Sequence, residues 1–434
     1  MSQITAYRGE ILHFLDDPSV VGVDESYEYF ADGLLIIENG LVRELAAYTE
    51  LASSLSDDVE IIHYENGLIV PGFIDTHVHY PQIEMMASHG EQLLEWLTNY
   101  TFPTEMKFSD SAYASEIATF FLNQLLNNGT TTALVFGTVH RQSVDAFFTA
   151  AQEKKLRMIC GKVLMDRNAP EELLDDVQSA YDDSLSLINK WHGQDRLQYA
   201  VTPRFAITST AQQLAVADRL MKEFPDVYLH THLSENIKEI EWVRELFPDS
   251  KDYLDVYHKH HLTGRRSVFA HGVHLSDDEC QCLADTKSSV AFCPSSNLFL
   301  GSGLFNLKQA EEFSYAVGLG SDIGAGTSLS MLQIMSEAYK TQQLRGDGLS
   351  PFKSFYLATL GGARVLDLEN TIGNFKVGNE ADFVFLDYHS TPLMQLRLSH
   401  CQSLQEKLFA LSVLGDDRTV GATHILGESV LQRC

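Results

Sequence analysis

The sequence predicts an α/β protein, a (β/α)8 barrel joined to a small β-module built from both chain ends. Three observations carry this. Between residues 69 and 372, eight short apolar runs alternate with longer amphipathic stretches, the pattern of β/α units around a parallel sheet. The first 68 residues and the last 62 share short strand patterns punctuated by glycine. The chain, at 434 residues, is long enough for a barrel-sized core and a second, smaller unit.

Residues 1–68 read as the amino-terminal part of the β-module. In "GLLIIENGLVREL" the pair Asn39-Gly40 separates two apolar runs, a hairpin signal, and "VEIIHYENGLIV" repeats the device at Asn66-Gly67. Residues 69–372 hold the runs "GFIDTH", "TTALVFG", "RMICGKVLM", "LQYAVTPR", "VYLHTHLSE", "SVFAHG", "SSVAFCPS" and "YAVGLGSD". Segments such as "EIATFFLNQLLNNG" and "TAQQLAVADRLMKEF" between them have helical periodicity. Eight units fit a closed barrel. An open doubly wound sheet is disfavoured, because no G-x-G-x-x-G opens the first unit. Residues 373–434, with "IGNFKVGNEADFVFLD" and "GATHILGESVL", return as strands to complete the β-module.

Composition excludes several classes of function. The formal net charge is -28, which repels nucleic-acid phosphates and anionic membranes, so neither is an expected partner. The amino terminus has no basic stretch followed by an apolar one, and no apolar run approaches membrane-spanning length. Six scattered cysteines are too few for a disulfide framework. A reducing, cytoplasmic setting is expected.

The chemistry gathers where the runs end. His77 and His79 stand two residues apart on one extended face, and His230, His232 and Glu235 close the fifth run. Arg204 and Phe205 follow the fourth run, His271 ends the sixth, and Asp322 ends the eighth. In a (β/α)8 barrel all strand ends open onto one face. Imidazoles and a carboxylate meeting there suit Zn²⁺. Each residue alone has a plainer reading: His271 as a hydrogen-bonded core histidine, Asp322 as a helix cap, Arg204 as an ion-pair partner, Glu235 as a first-turn carboxylate. The joint pattern carries the weight. The cluster His258, His260 and His261 reads as a solvated face, and "EWLTNYTFPTE" (95–105) as a wall or lid over the site.

The motifs "PGFIDTHVH", "HLSE", "AHG", "GLGSD" and "IGNFKVGNEADFVFLD" together resemble the amidohydrolase superfamily over nearly the whole chain. A narrower set, "HYPQ", "LLEWLTNYTFPTE", "TPRF", "THLSEN", "CPSSNLFLGSG" and "GLGSDIGAGTSLSM", resembles its guanine-deaminating members. The resemblance implies a distorted (β/α)8 TIM barrel with a small β-sandwich formed by both termini. It implies hydrolysis of guanine to xanthine and ammonia, a purine-catabolic step, by a cytoplasmic homodimer. It makes His77, His79, His232 and Asp322 the metal ligands and Glu235 the proton shuttle. His271 then serves the attacking water or the developing oxyanion, while Gln82, Arg204 and Phe205 hold the purine. His230 matches no ligand and is expected behind the site or in the core. Binuclear members bridge two metals with a lysine, usually at the end of the fourth strand. Pro203-Arg204 stands there, so one Zn²⁺ per chain is implied, with Lys162 the residue able to upset that count. Two rival readings remain at this point: deamination of another amino-heterocycle (cytosine, pterin or triazine type), and a non-catalytic scaffold of the same fold.

Overall fold

The computed structural model describes residues 4–56, 59–89 and 92–433. Strands β1 (Ile4–Phe14), β2 (Tyr27–Glu38), β3 (Leu41–Ala47) and β4 (Ile61–Pro71) open the chain. Asn39 and Gly40 both take positive φ, 54° and 83°, and join β2 to β3 as an antiparallel hairpin, as expected.

The second Asn-Gly behaves differently, and the hairpin expected there is corrected. β4 runs straight through Asn66-Gly67 and pairs in parallel with β1. Its register against β1 slips there, so the positive φ of Asn66 (56°) makes a bulge and not a reversal. Glycine is required beside it, since a Cβ at Gly67 would overlap the Phe385 ring.

All eight apolar runs of the middle become parallel strands. They are β5 (Phe73–His79), β6 (Thr130–Phe136), β7 (Arg157–Gly161), β9 (Gln198–Pro203), β10 (Tyr228–Leu233), β11 (Ser267–His271), β12 (Ser289–Phe292) and β13 (Ala316–Leu319). The short β8 (Val163–Leu164) extends the third run and pairs with β9. The two helical segments form as helices Ser111–Asn127, capped by Asp110, and Ala211–Glu223, capped by Thr210.

One apolar residue from each of seven strands (Ile74, Leu134, Ile159, Ala200, Tyr228, Val268 and Ala291) packs with Ala363, Val365 and Leu366 to floor the barrel. Closure comes above that floor. Thr76 Oγ1 donates to Leu319 O at 3.0 Å, Asp322 N to His77 O at 2.9 Å, and His79 N to Ile323 O at 2.9 Å.

β14 (Phe383–Asp387), β15 (Val420–Ile425) and β16 (Glu428–Gln432) return to the terminal sheet, whose order is β16-β15-β14-β4-β1-β2-β3. By hydrogen bonding the β-unit from both termini is one continuous seven-stranded sheet. Its inner core includes Ile11, Leu35, Ile69, Phe383 and Phe385. Its other side, through Leu12, Leu68, Val70 and Leu386, joins the main core of the barrel. The cysteines at 160, 280, 282, 293 and 401 are free, and Cys434 lies outside the described residues. Among the described residues no helix is long and apolar enough to cross a membrane.

A buried ionic knot ties sheet to barrel. Arg196 donates to Glu380 Oε2 from Nη2 at 2.7 Å, also reaches Asp382, and gives Nη1 to Lys155 O at 2.8 Å. Arg157 Nε donates to the same Glu380 oxygen at 2.8 Å. Breaking one side of such a group strands a buried charge. Arg196→Met is therefore expected to lower stability by about 3–5 kcal/mol in denaturant unfolding. A loss below about 1 kcal/mol, the size of a surface pair, would contradict this.

Candidate active site

The site begins with a fault in β5. Ile74 faces the barrel floor, so strict alternation would send His77 and His79 outward. The register between β5 and β6 shifts between Asp75 and Val78, which re-aims both histidines into the barrel mouth. His77 then faces Phe136, His230 and His232 at ring-centroid distances of 5.3, 4.9 and 4.9 Å. Asp75, fully buried, secures the turn: it accepts from Ser321 N at 3.0 Å, His77 N at 3.2 Å and the Ser321 hydroxyl. Burial lifts the Asp75 carboxyl to about 6 against those bonds.

Four donors from three places in the barrel converge. One ligand atom each from His77, His79, His232 and Asp322 lies within 4.8 Å of the others, and all four residues sit deep in the protein. His77 Nε2 is 3.1 Å and His79 Nε2 3.4 Å from Asp322 Oδ1, and His232 Nε2 is 3.2 Å from His79 Nε2. His232 Nδ1 donates to Arg204 O at 2.7 Å, so Nε2 presents a bare lone pair to the centre. His77 Nδ1 lies 2.7 Å from His230 Nε2, which turns the other nitrogen of His77 inward. Apart from its approach to Asp322, His77 Nε2 has no partner among the described residues.

The electrostatics point the same way. Burial holds His77 below its usual range and pushes His79 down to about 3. His232 is driven well down by burial and then by the neighbouring imidazoles. Burial works to raise Asp322, yet its bonds to His77 and His79 outweigh that and hold it well below the carboxylate range. Neutral imidazoles around one anionic oxygen leave a negative, buried pocket of lone pairs. That set fits a divalent cation. Asp322 (φ 50°), His271 (φ 75°) and Ser234 (φ 48°) hold left-handed backbone at the strand ends, a strain often found at working sites.

Beside this centre stand the remaining expected residues. Glu235, buried, accepts from Ser302 Oγ at 3.0 Å. Burial, then the charge of Asp322, raises its carboxyl to about 8. His271 donates from Nδ1 to Asn297 Oδ1 at 2.9 Å and turns Nε2 toward Glu235 (3.5 Å) and Asp322 (3.8 Å). Gln82, Arg204 and Phe205 line the same cavity as His79, His232, Glu235 and Asp322. Every expected site residue except His77 lines that cavity; His77 lies behind it.

Other residues complete the picture. Lys162 is committed elsewhere, paired with Asp175 at 2.5 Å. His230 backs His77 and does not line the cavity. His258 bonds Thr263 Oγ1 at 2.9 Å on the surface, in keeping with its plainer reading. The segment 95–105 does cover the site. Helix Leu93–Trp96 widens into a π turn at Leu97–Thr101 and resumes at Phe102–Glu105. Pro103 has no N–H for the turn before it, and the widening accommodates that. Leu93, Trp96, Leu97 and Thr101 wall the cavity, and Thr101 Oγ1 there has no hydrogen-bond partner among the described residues. Glu105, Asp75, Ser302 and Asn297 were not singled out from sequence. A carboxylate inside an apolar run was the available signal for Asp75; the other three had none that spacing could reveal.

Comparison with known proteins agrees with this geometry. Residues 68–430 match the Amidohydrolase family. Guanine deaminase of Escherichia coli (strain K12) is 52% identical over 433 residues, covering 99% of this chain and 98% of that one. The solved E. coli guanine deaminase superposes with a TM-score of 0.96 at 51% identity, with both chains fully covered. A guanine deaminase from C. acetobutylicum, solved with guanine bound in its active site, gives a TM-score of 0.89 at 26% identity, covering 99% of this chain and 100% of that one. The chain therefore belongs to the amidohydrolase family, among its guanine deaminases.

Proposed function

We propose that the chain deaminates guanine hydrolytically: guanine and water give xanthine and ammonia. The observation that carries this is a four-donor cluster, His77, His79, His232 and Asp322, set against a cavity that the Glu235 carboxyl and the Arg204 guanidinium also line. The names of the relatives support the same substrate. His77, His79, His232 and Asp322 are the ligands of one zinc ion. When bound, such an ion lowers the pKa of water from 15.7 to about 7 and so supplies hydroxide at neutral pH. Lys162, the residue that could upset the count of one ion, is paired to Asp175.

Asp322 and Glu235 take the proton of the attacking water as its oxygen adds to C2 of the ring. Glu235 passes a proton to the adjacent ring nitrogen, which relieves charge as C2 becomes tetrahedral. A second transfer through Glu235 lets the exocyclic amine leave as ammonia. Burial and the Asp322 carboxylate raise Glu235 above the usual carboxylate range, the direction a proton shuttle needs. His271 Nε2 steadies the attacking water and the oxyanion that replaces it.

Selectivity comes from the far end of the cavity. Arg204 donates to the 6-oxo group, Gln82 meets the ring edge, and Phe205 packs on its face. The resemblance further supports a cytoplasmic homodimer, with residues 1–68 and 373–434 acting as one β-unit around the 69–372 barrel.

Two outcomes test this reading. Glu235→Gln is expected to keep the metal and lose about 10²–10⁴-fold in turnover, read by ammonia release beside elemental analysis; unchanged turnover removes Glu235 from the mechanism. In a competition assay guanine is expected to outcompete adenine, whose 6-amino group would face the Arg204 donors. A preference for adenine, a cytosine, a pterin or a triazine would overturn the assignment.

A further inference from the structure

We propose that Glu105 is a positioning residue for substrate selectivity: it holds Arg204 and Gln82 so that their remaining donors meet an oxo-bearing ring edge. The proposal rests on the guanine-deaminating reading and adds the device that aims its recognition groups.

Glu105 ends the helix Phe102–Glu105 that closes the wall over the site, and it is fully buried. Arg204 Nη1 donates to both of its oxygens, at 3.0 Å and 2.8 Å. Gln82 Nε2 donates to Oε1 at 3.0 Å. Glu105 itself does not line the cavity, whereas both of its partners do. It therefore acts through them.

The bonds dictate what the cavity sees. Among the described residues no hydrogen bond engages Arg204 Nε or Nη2, so these are the donors left for a ligand. Gln82 Oε1 accepts from Gly324 N at 3.1 Å, which locks the amide and leaves its second Nε2 hydrogen for the ring. The recognition end thus offers donors and asks for acceptors. Its charges cancel, since the Glu105 carboxylate offsets the Arg204 guanidinium. A neutral oxo-purine suits such an end better than an anionic ligand. Only a carboxylate can accept all three bonds; an amide of the same shape brings a donor of its own and must give up at least one. Arg204 also offers its carbonyl to His232 Nδ1, so its placement reaches the ligand set.

The test compares guanine with 2-aminopurine, which carries hydrogen in place of the 6-oxo group. In Glu105→Gln, kcat/KM for guanine is expected to fall about tenfold to a hundredfold, mostly through KM. For 2-aminopurine it is expected to change less than about threefold, as no bond to an oxo group is lost. Where 2-aminopurine turnover is too slow, its inhibition constant against guanine replaces it. Glu105→Asp keeps the charge and should narrow the ratio in the same direction, and it carries the test alone if the glutamine variant does not fold. In an Arg204→Met background, Glu105→Gln should move the ratio less than it does with Arg204 present, since only the Gln82 contact is then lost. Equal losses on both substrates, or an unchanged ratio, overturn the proposal. A wild-type protein that releases no ammonia from guanine overturns the functional reading instead.

Discussion

The site depends first on how the barrel closes. His77 and His79 leave the first barrel strand, Asp322 follows the last, and two backbone bonds between those segments set them face to face. Asp75 braces the same seam from below through Ser321. No local preference would gather three uncharged imidazoles around a buried carboxylate. Burying such groups without partners is costly. The strands supply the rigidity, and a cation at the centre would return the energy as coordination.

From that seam the remaining groups follow in order. His232 is aimed by a carbonyl, His77 by His230, His271 by Asn297 and Glu235 by Ser302. Each of these four side chains thus has one atom committed to the scaffold and another directed at the centre. The wall 93–105 adds the recognition end, where Glu105 secures Arg204 and Gln82. The proposed metal-binding and selective groups share backbone: Arg204 carries the guanidinium on its side chain and orients His232 with its carbonyl.

Much of this was legible in the sequence because strand ends are. The eight apolar runs became strands, and the histidines, Glu235 and Asp322 at their carboxyl ends meet as barrel geometry requires. Asn39-Gly40 made its hairpin, yet the same dipeptide at 66–67 made a bulge, since parallel pairing with β1 outweighed the turn preference. His77 and His79 share a face, as alternation along a strand requires, but a bulge in β5 decides which face that is. Glu105, Ser302 and Asn297 escaped notice for a different reason. Each works through a contact more than 20 residues away in the chain, with no periodicity or spacing to announce it.

The central claim is that His77, His79, His232 and Asp322 form a single-ion zinc centre. Elemental analysis of the purified protein, with an anomalous diffraction map collected at the zinc edge, tests it most directly. The account predicts one zinc per chain, with its peak among these four side chains and its occupancy lost in Asp322→Asn. Absence of metal, two ions per chain, or a peak held by other residues would contradict it.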